Sequence, residues 1–198
     1  MSDAAAIALV VTAYFMGSIP FGLLIGKKMG VDVRGVGSGN IGATNVARNL
    51  GKKTGALVLL LDALKAAIPT FVAKMLVSRG DLAIEFLALV AIAAIIGHCY
   101  PVWLKFRGGK GVATSLGVFL VIDPALAGIG VAIFAVLYLA FRTASIGSVC
   151  AAIAFPVLLW VFERPMPLVQ LGIAGAVIIV VKHRTNILRL LRGEEHRV

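Results

Sequence analysis

Seven apolar runs, near residues 4–26, 54–77, 82–103, 111–122, 124–141, 144–162 and 166–182, fill most of this chain. A helix needs about 20 mostly apolar residues to cross the hydrocarbon core of a bilayer. In that core only helices and closed barrels satisfy their own backbone hydrogen bonds. The fourth run, 111–122, is short. Composition excludes a soluble protein: mean hydropathy is +1.01 and charged residues are 14% of the chain, against about 25% in soluble domains. Asp123-Pro124, Arg142-Thr143 and "ERPMP" break the later runs from one another. The N-terminal run has neither a basic leader nor an A-x-A cleavage site, so it reads as a retained span. The expectation is an all-α integral membrane protein with seven transmembrane helices, forming one transmembrane domain over 1–198.

The net charge is +10. Such a balance raises nucleic acid as a partner, but in a chain this apolar it reports basic loops at the cytoplasmic membrane face. Seven spans sort the loops into two sets. Lys74, Arg79 and Arg164 fall in one set and Lys65 lies inside a span, so 15 of the 19 Lys and Arg residues fall in the other. That asymmetry puts the basic loops and the C-terminus in the cytoplasm and the N-terminus outside. A wrong span count would scramble the alternation, so the split supports seven as well. The expected partner is the lipid bilayer, and no nucleic acid is expected.

The unusual sequence collects on that basic face. It comprises "RGVGSGNIGATNVAR" (34–48), "GHCYPVWLKFRGGKGVAT" (97–114), "RTASIGS" (142–148) and "KHRTNILRLLRGEE" (182–195). Glycines let the backbone approach a ligand closely and adopt positive φ, so that several N–H groups can converge on an anion. Ser38, Thr44, Ser145, Asn40, Asn45 and Asn186 add neutral hydrogen-bonding groups, and Arg48 and Lys110 add charge. Together this is chemistry for holding phosphate at a membrane surface.

Each feature has a plainer rival. Gly37, Gly39 and Gly42 spell G-x-G-x-x-G, but no buried strand precedes them and no βαβ pattern follows. "FRGGKG" lacks the first glycine of a Walker loop, and Gly111 stands where Ser or Thr belongs. Glycine-rich loops between spans serve as tight turns, basic residues set topology, and His98 and His183 suit interfacial positions. Asp62 and Lys65 share one helical face within a span, as an ion pair would. Cys99 and Cys150 have no C-x-x-C spacing, and the scattered carboxylates offer no metal site. The functional reading rests on coincidence: several loops, one face, the same donor inventory. An anion transporter would need two repeated halves with sites near the midplane, and none is visible. A membrane scaffold has no use for clustered phosphate donors.

The segments "GSIPFG" (17–22), "GSGNIGATN" (37–45), "GHCYPVWLKFRGGKGVAT" and "HRTNILRLLRGEE" resemble the bacterial acyl-phosphate-dependent glycerol-3-phosphate acyltransferases, nearly end to end and in order. The resemblance implies a seven-span enzyme of the bacterial inner membrane with its active site facing the cytoplasm. Its implied reaction moves a fatty acyl group from acyl phosphate to the 1-hydroxyl of glycerol 3-phosphate, giving lysophosphatidic acid and phosphate at the start of phospholipid synthesis. It implies no cofactor and no metal, and an acyl-phosphate-producing enzyme as functional partner. Carried over by motif, Ser38, Arg48 and Lys110 hold the phosphate of glycerol 3-phosphate. Thr44 and Ser145 serve the acyl-phosphate headgroup, and His183 and Asn186 orient the reacting groups. Gly39, Asn40, Asn45, Gly108 and Gly109 shape the binding loops. Direct transfer is the favoured mechanism, with His183, Asp62 or a substrate phosphate oxygen as proton acceptor. A covalent route through Cys99 is the alternative.

Overall fold

The computed structural model describes residues 1–195. No strand occurs among them, and ten α-helices follow one another: α1 Asp3–Gly17, α2 Phe21–Lys28, α3 Ala43–Leu50, α4 Lys52–Ser78, α5 Ile84–Cys99, α6 Val112–Ile122, α7 Pro124–Phe141, α8 Ala144–Val161, α9 Met166–Lys182 and α10 Arg184–Leu191. Every apolar run of the sequence is mainly helical, the first being interrupted between α1 and α2. By length and composition five stretches can cross a membrane: Asp3–Lys28, Lys52–Ser78, Ile84–Leu104, Pro124–Phe141 and Ala144–Val161. A sixth exists if α9 and α10, bent by 57°, form one broken span. The fourth run, α6, is an 11-residue helix. At 1.5 Å per residue it covers about half of a roughly 30 Å hydrocarbon core.

The last carbonyls of a helix have no partner within it, and in an apolar environment an unpaired one is costly. Two cations of the sparse loop set tie off this end of α6. Lys74 Nζ on α4 donates to Val121 O (2.6 Å) and Ile122 O (3.2 Å). Arg164 Nε donates to Asp123 Oδ2 at 2.7 Å, while Asp123 Oδ1 caps α7 by accepting from Leu126 N–H. Pro124 at the first position of α7 needs no N–H partner there. The charged pair inside the second span has an equally local task. The link between α1 and α2 is non-helical at Ile19–Pro20. Lys65 Nζ donates to Ile19 O (2.7 Å) and pairs with Asp62 Oδ1 at 2.7 Å.

Close backbone approach, the usual means of packing helices in lipid, fixes the bundle. A Cβ at Gly17 would come within 2.2 Å of Ala94 O, and one at Gly117 within 2.1 Å of Ala63 O. These contacts seat α1 on α5 and α6 on α4. Helices α7, α8 and α9 pack in sequence beside them. Their outward faces are apolar, with Val136, Leu139 and Trp160 all exposed, as lipid-facing surfaces require. The two short basic helices, α3 and α10, lie at the end of the bundle where the glycine-rich loops meet.

Candidate active site

Each of the four segments singled out in the sequence contributes to one polar cavity of about 190 Å³. Ser38, Asn40, Thr44, Asn45 and Arg48 line it from the first loop and α3. Lys110 and the Gly111–Ala113 turn line it from the second, and Ala144 and Ser145 from the third. His183, Asn186 and Glu195 close it from the C-terminal segment. Gly39, Gly108 and Gly109 are not in the wall. Gly39 has φ +69°, a left-handed turn, and a Cβ on Gly109 would overlap the His98 imidazole at 2.0 Å. Both therefore act on loop shape.

Three helices begin at this cavity. The first turns of α3 (Gly42, Ala43, Thr44), α6 (Gly111, Val112, Ala113) and α8 (Ala144, Ser145) all line it. None of the three has a side-chain N-cap, and none has an acidic residue in its first turn. A helix N-terminus carries orphan N–H donors and about half a positive charge. Left uncapped, it is prepared for an external anion.

The first loop is held in shape by Asn45, which is almost fully buried. Its Oδ1 accepts from Ser38 N–H (2.9 Å) and Asn49 Nδ2 (3.1 Å). Its Nδ2 reaches Val33 O, Asn40 O and Val36 O. Asn40 Oδ1 accepts from Gly42 N–H, fixing the entry to α3. With its amide so committed, Asn45 organises the loop. Thr44 and Arg48, four residues apart on α3, share the face that lines the cavity. Arg34, at the other end of the same loop, is engaged elsewhere. Its Nε and Nη2 clasp the two carboxylate oxygens of Asp32 at 2.9 and 2.6 Å, and it does not line the cavity.

Opposite stands a connected set of polar groups. Lys110 Nζ donates to Asn186 Oδ1 (2.6 Å), and Asn186 Nδ2 donates to Glu195 Oε1 (2.5 Å). Ser145 Oγ also donates to Glu195 Oε1 at 3.1 Å, and Arg189 Nε donates to Oε2 at 2.7 Å. Burial, with the like charges of Arg189, Arg48 and Lys182, brings the Lys110 ammonium down to about 8 against the pull of Glu195. Burial pushes the Glu195 carboxyl up, but hydrogen bonds from Asn186, Arg189 and Ser145 outweigh it and hold the group below its usual range. Glu195 is the charged residue of the wall to which the sequence reading assigned no role. The one signal was an acidic residue closing a basic motif.

His183 donates from Nδ1 to Ile179 O at 2.8 Å, since a carbonyl can only accept. In the neutral ring this assignment leaves Nε2 as an acceptor. Asp62 and His98 line the inner wall, with His98 Nδ1 3.7 Å from Asp62 Oδ1. Cys99 is fully buried and outside the wall, and its carbonyl accepts from Lys182 Nζ. Among the described residues, no three His, Cys, Asp or Glu groups gather closely enough to hold a metal ion.

Two outcomes test this as an anion site. Arg48→Lys keeps the charge but loses the planar fork. A lost charge-assisted hydrogen bond costs about 1.5–3 kcal/mol, so affinity for a small phosphate monoester, measured by calorimetry, drops roughly 10- to 150-fold. Arg34→Lys, on the same loop but paired with Asp32, leaves affinity nearly unchanged. Equal, small effects would reduce Arg48 to a surface charge. The second outcome concerns pH. As pH rises through about 8, Lys110 sheds its proton and affinity for the anion falls. Lys110→Arg, charged throughout that range, removes the alkaline limb. A limb that persists in Lys110→Arg belongs to another group.

The comparisons with known proteins agree with this geometry. The family model "Glycerol-3-phosphate acyltransferase" matches residues 7–193. A glycerol-3-phosphate acyltransferase from Anaeromyxobacter sp. (strain Fw109-5) is 52% identical, with 100% of this chain and 99% of that one covered. One from Syntrophotalea carbinolica is 49% identical, covering 96% of this chain and 95% of the relative. Among solved structures, an integral membrane glycerol 3-phosphate acyltransferase in its glycerol 3-phosphate form superposes with a TM-score of 0.93 at 43% identity, covering 98% of this chain and 96% of that one. Its lysophosphatidic acid form gives 0.90 at 42% identity, with 98% and 95% covered. With the family model matched over nearly the whole chain and relatives about half identical along it, the chain belongs to the glycerol-3-phosphate acyltransferase family.

Proposed function

We propose that this enzyme moves a fatty acyl group from acyl phosphate directly to the 1-hydroxyl of glycerol 3-phosphate. The products are lysophosphatidic acid and inorganic phosphate. The convergence of three uncapped helix N-termini with Arg48 and Lys110 on one cavity carries the reading. It is more positive potential than a single phosphate needs, and it suits two phosphate-bearing substrates held side by side.

Ser38, Arg48 and Lys110 hold the phosphate of glycerol 3-phosphate. Thr44 and Ser145 serve the acyl-phosphate headgroup, which competes with Glu195 for Ser145 and Asn186. His183, through Nε2, and Asn186 orient the glycerol hydroxyl. Its oxygen attacks the acyl carbon and the bond from that carbon to the phosphate oxygen breaks. The hydroxyl proton passes to a phosphate oxygen. Acyl phosphate is a mixed anhydride with a good leaving group, so no strong protein nucleophile is required. Orienting the two substrates can supply up to about 7–11 kcal/mol of the barrier. The acyl chain enters the apolar cavity that adjoins the polar one and shares Val112, Leu116, Phe134 and Ser148 with it.

The same reading places the site at the cytoplasmic face of the bacterial inner membrane, with seven apolar helices, the N-terminus outside and the C-terminus inside. The loop charges support it, although Arg197, one of those counted, lies outside the described residues. An acyl-phosphate-producing enzyme supplies the donor. The test is purified protein in detergent with both substrates. Phosphate release requires glycerol 3-phosphate, and Cys99→Ser with Cys150→Ala retains most activity. Turnover with acyl thioesters but not acyl phosphate overturns the donor. An acyl adduct on Cys99 that glycerol 3-phosphate can discharge overturns direct transfer.

A further inference from the structure

The apolar cavity has a definite end. It holds about 110 Å³ between α6, α7, α8 and α9. Val112, Phe134, Ser148 and Ile179 line its mouth, and Phe119, Ala127, Phe155 and Gly172 line its far end, seven positions along each helix. Seven residues of α-helix rise about 10 Å. The cavity is therefore shallower than the roughly 15 Å half-thickness of the hydrocarbon core. Two hydroxyls stand on its otherwise apolar wall: Ser148 donates to Ala144 O at 2.8 Å, while the buried Ser115 Oγ has no hydrogen-bond partner among the described residues.

At the far end the Phe119 and Phe155 rings meet, centroids 4.1 Å apart and planes tilted by 38°. Both are buried, and behind them Leu126 and Leu159 are 1% and 0% exposed. A chain descending from the polar cavity thus reaches two touching rings backed by a filled core. The competing exit is sideways, past Val131 on α7, a wall residue that is 45% exposed.

We infer that the Phe119–Phe155 pair is the floor of the acyl-chain cavity and sets the preferred acyl length. The inference rests on the proposed reading of this cavity as the place of the transferred chain. A chain that fits keeps its carbonyl carbon at the polar cavity; a longer one must lift that carbon or displace the rings. Ala152 lies halfway along the α8 wall between Ser148 and Phe155, so a larger residue there raises the floor.

The test is the chain-length profile, read in two ways. One is kcat/KM for a graded series of acyl phosphates. The other is thermal stabilisation by lysophosphatidic acids of graded length, which needs no donor. Phe155→Ala and Phe119→Ala should move both optima to longer chains, and Ala152→Phe to shorter ones. Each should change the long-to-short ratio by roughly 10-fold or more. Shifts of opposite sign cannot come from general loosening of the fold, and Phe155→Leu gives a milder deepening if Phe155→Ala does not fold. Unchanged profiles in folded floor variants overturn the inference, as does a profile that responds only to Val131→Trp. If wild-type protein fails to turn over acyl phosphate, the donor assignment falls, while the lysophosphatidic acid series still reads the floor.

Discussion

Three helix N-termini without side-chain caps, meeting at one cavity, are the constraint from which the rest of the site follows. Two phosphate dianions about 6 Å apart repel by something on the order of 10 kcal/mol at an effective dielectric of 20. One arginine and one lysine neutralise only half of their four negative charges. The remainder must come from groups that cannot leave or titrate, and backbone N–H donors at helix starts are such groups. This accounts for the loops. Glycine at the starts of α3 and α6 leaves the first turn unblocked, whereas Ser, Thr or Asp there would cap it from within. Asn45 then locks the first loop with hydrogen bonds of its own, so that Ser38, Thr44 and Arg48 are presented together.

The opposite helix ends follow the complementary rule. Lys65 sits on Ile19 O beyond α1, Lys74 on Val121 O and Ile122 O at the end of α6, and Lys182 on Cys99 O at the end of α5. Each lysine meets a carbonyl at a C-terminal end, where the helix dipole favours a cation and where lipid offers no water to do the same work. Helix α6 is thus tied off by charge at one end and left open to the cavity at the other. The buried Asp62 balances Lys65 and also stands on the cavity wall, so the inner wall of the site and the α1–α2 break share one ion pair.

Much of this was legible in the sequence. Apolar run length identified the helices, because lipid leaves the backbone few alternatives. The donors were legible too: Ser38, Thr44, Arg48, Lys110, Ser145, His183 and Asn186 were read from four segments far apart in the chain, and one cavity gathers them. What escaped was geometry set by tertiary contact. Run length showed that α6 is short, but not that its end is tied off by Lys74 and Arg164, both first read only as topological charges. Glycine content did not separate Gly111, which opens a helix at the cavity, from Gly109, which makes room for His98. Glu195 was hidden because two adjacent carboxylates at the end of a basic segment give no periodic signal. Only the fold sets it between Ser145, Asn186 and Arg189.

In the proposed reaction both phosphate-bearing substrates occupy this one cavity at the same time. The most direct measurement is initial velocity with acyl phosphate and glycerol 3-phosphate varied together. A ternary complex gives double-reciprocal lines that intersect, with a dead-end phosphonate analogue of either substrate competing only with its own. Parallel lines, the pattern of a covalent acyl-enzyme that releases phosphate before glycerol 3-phosphate binds, would contradict the account.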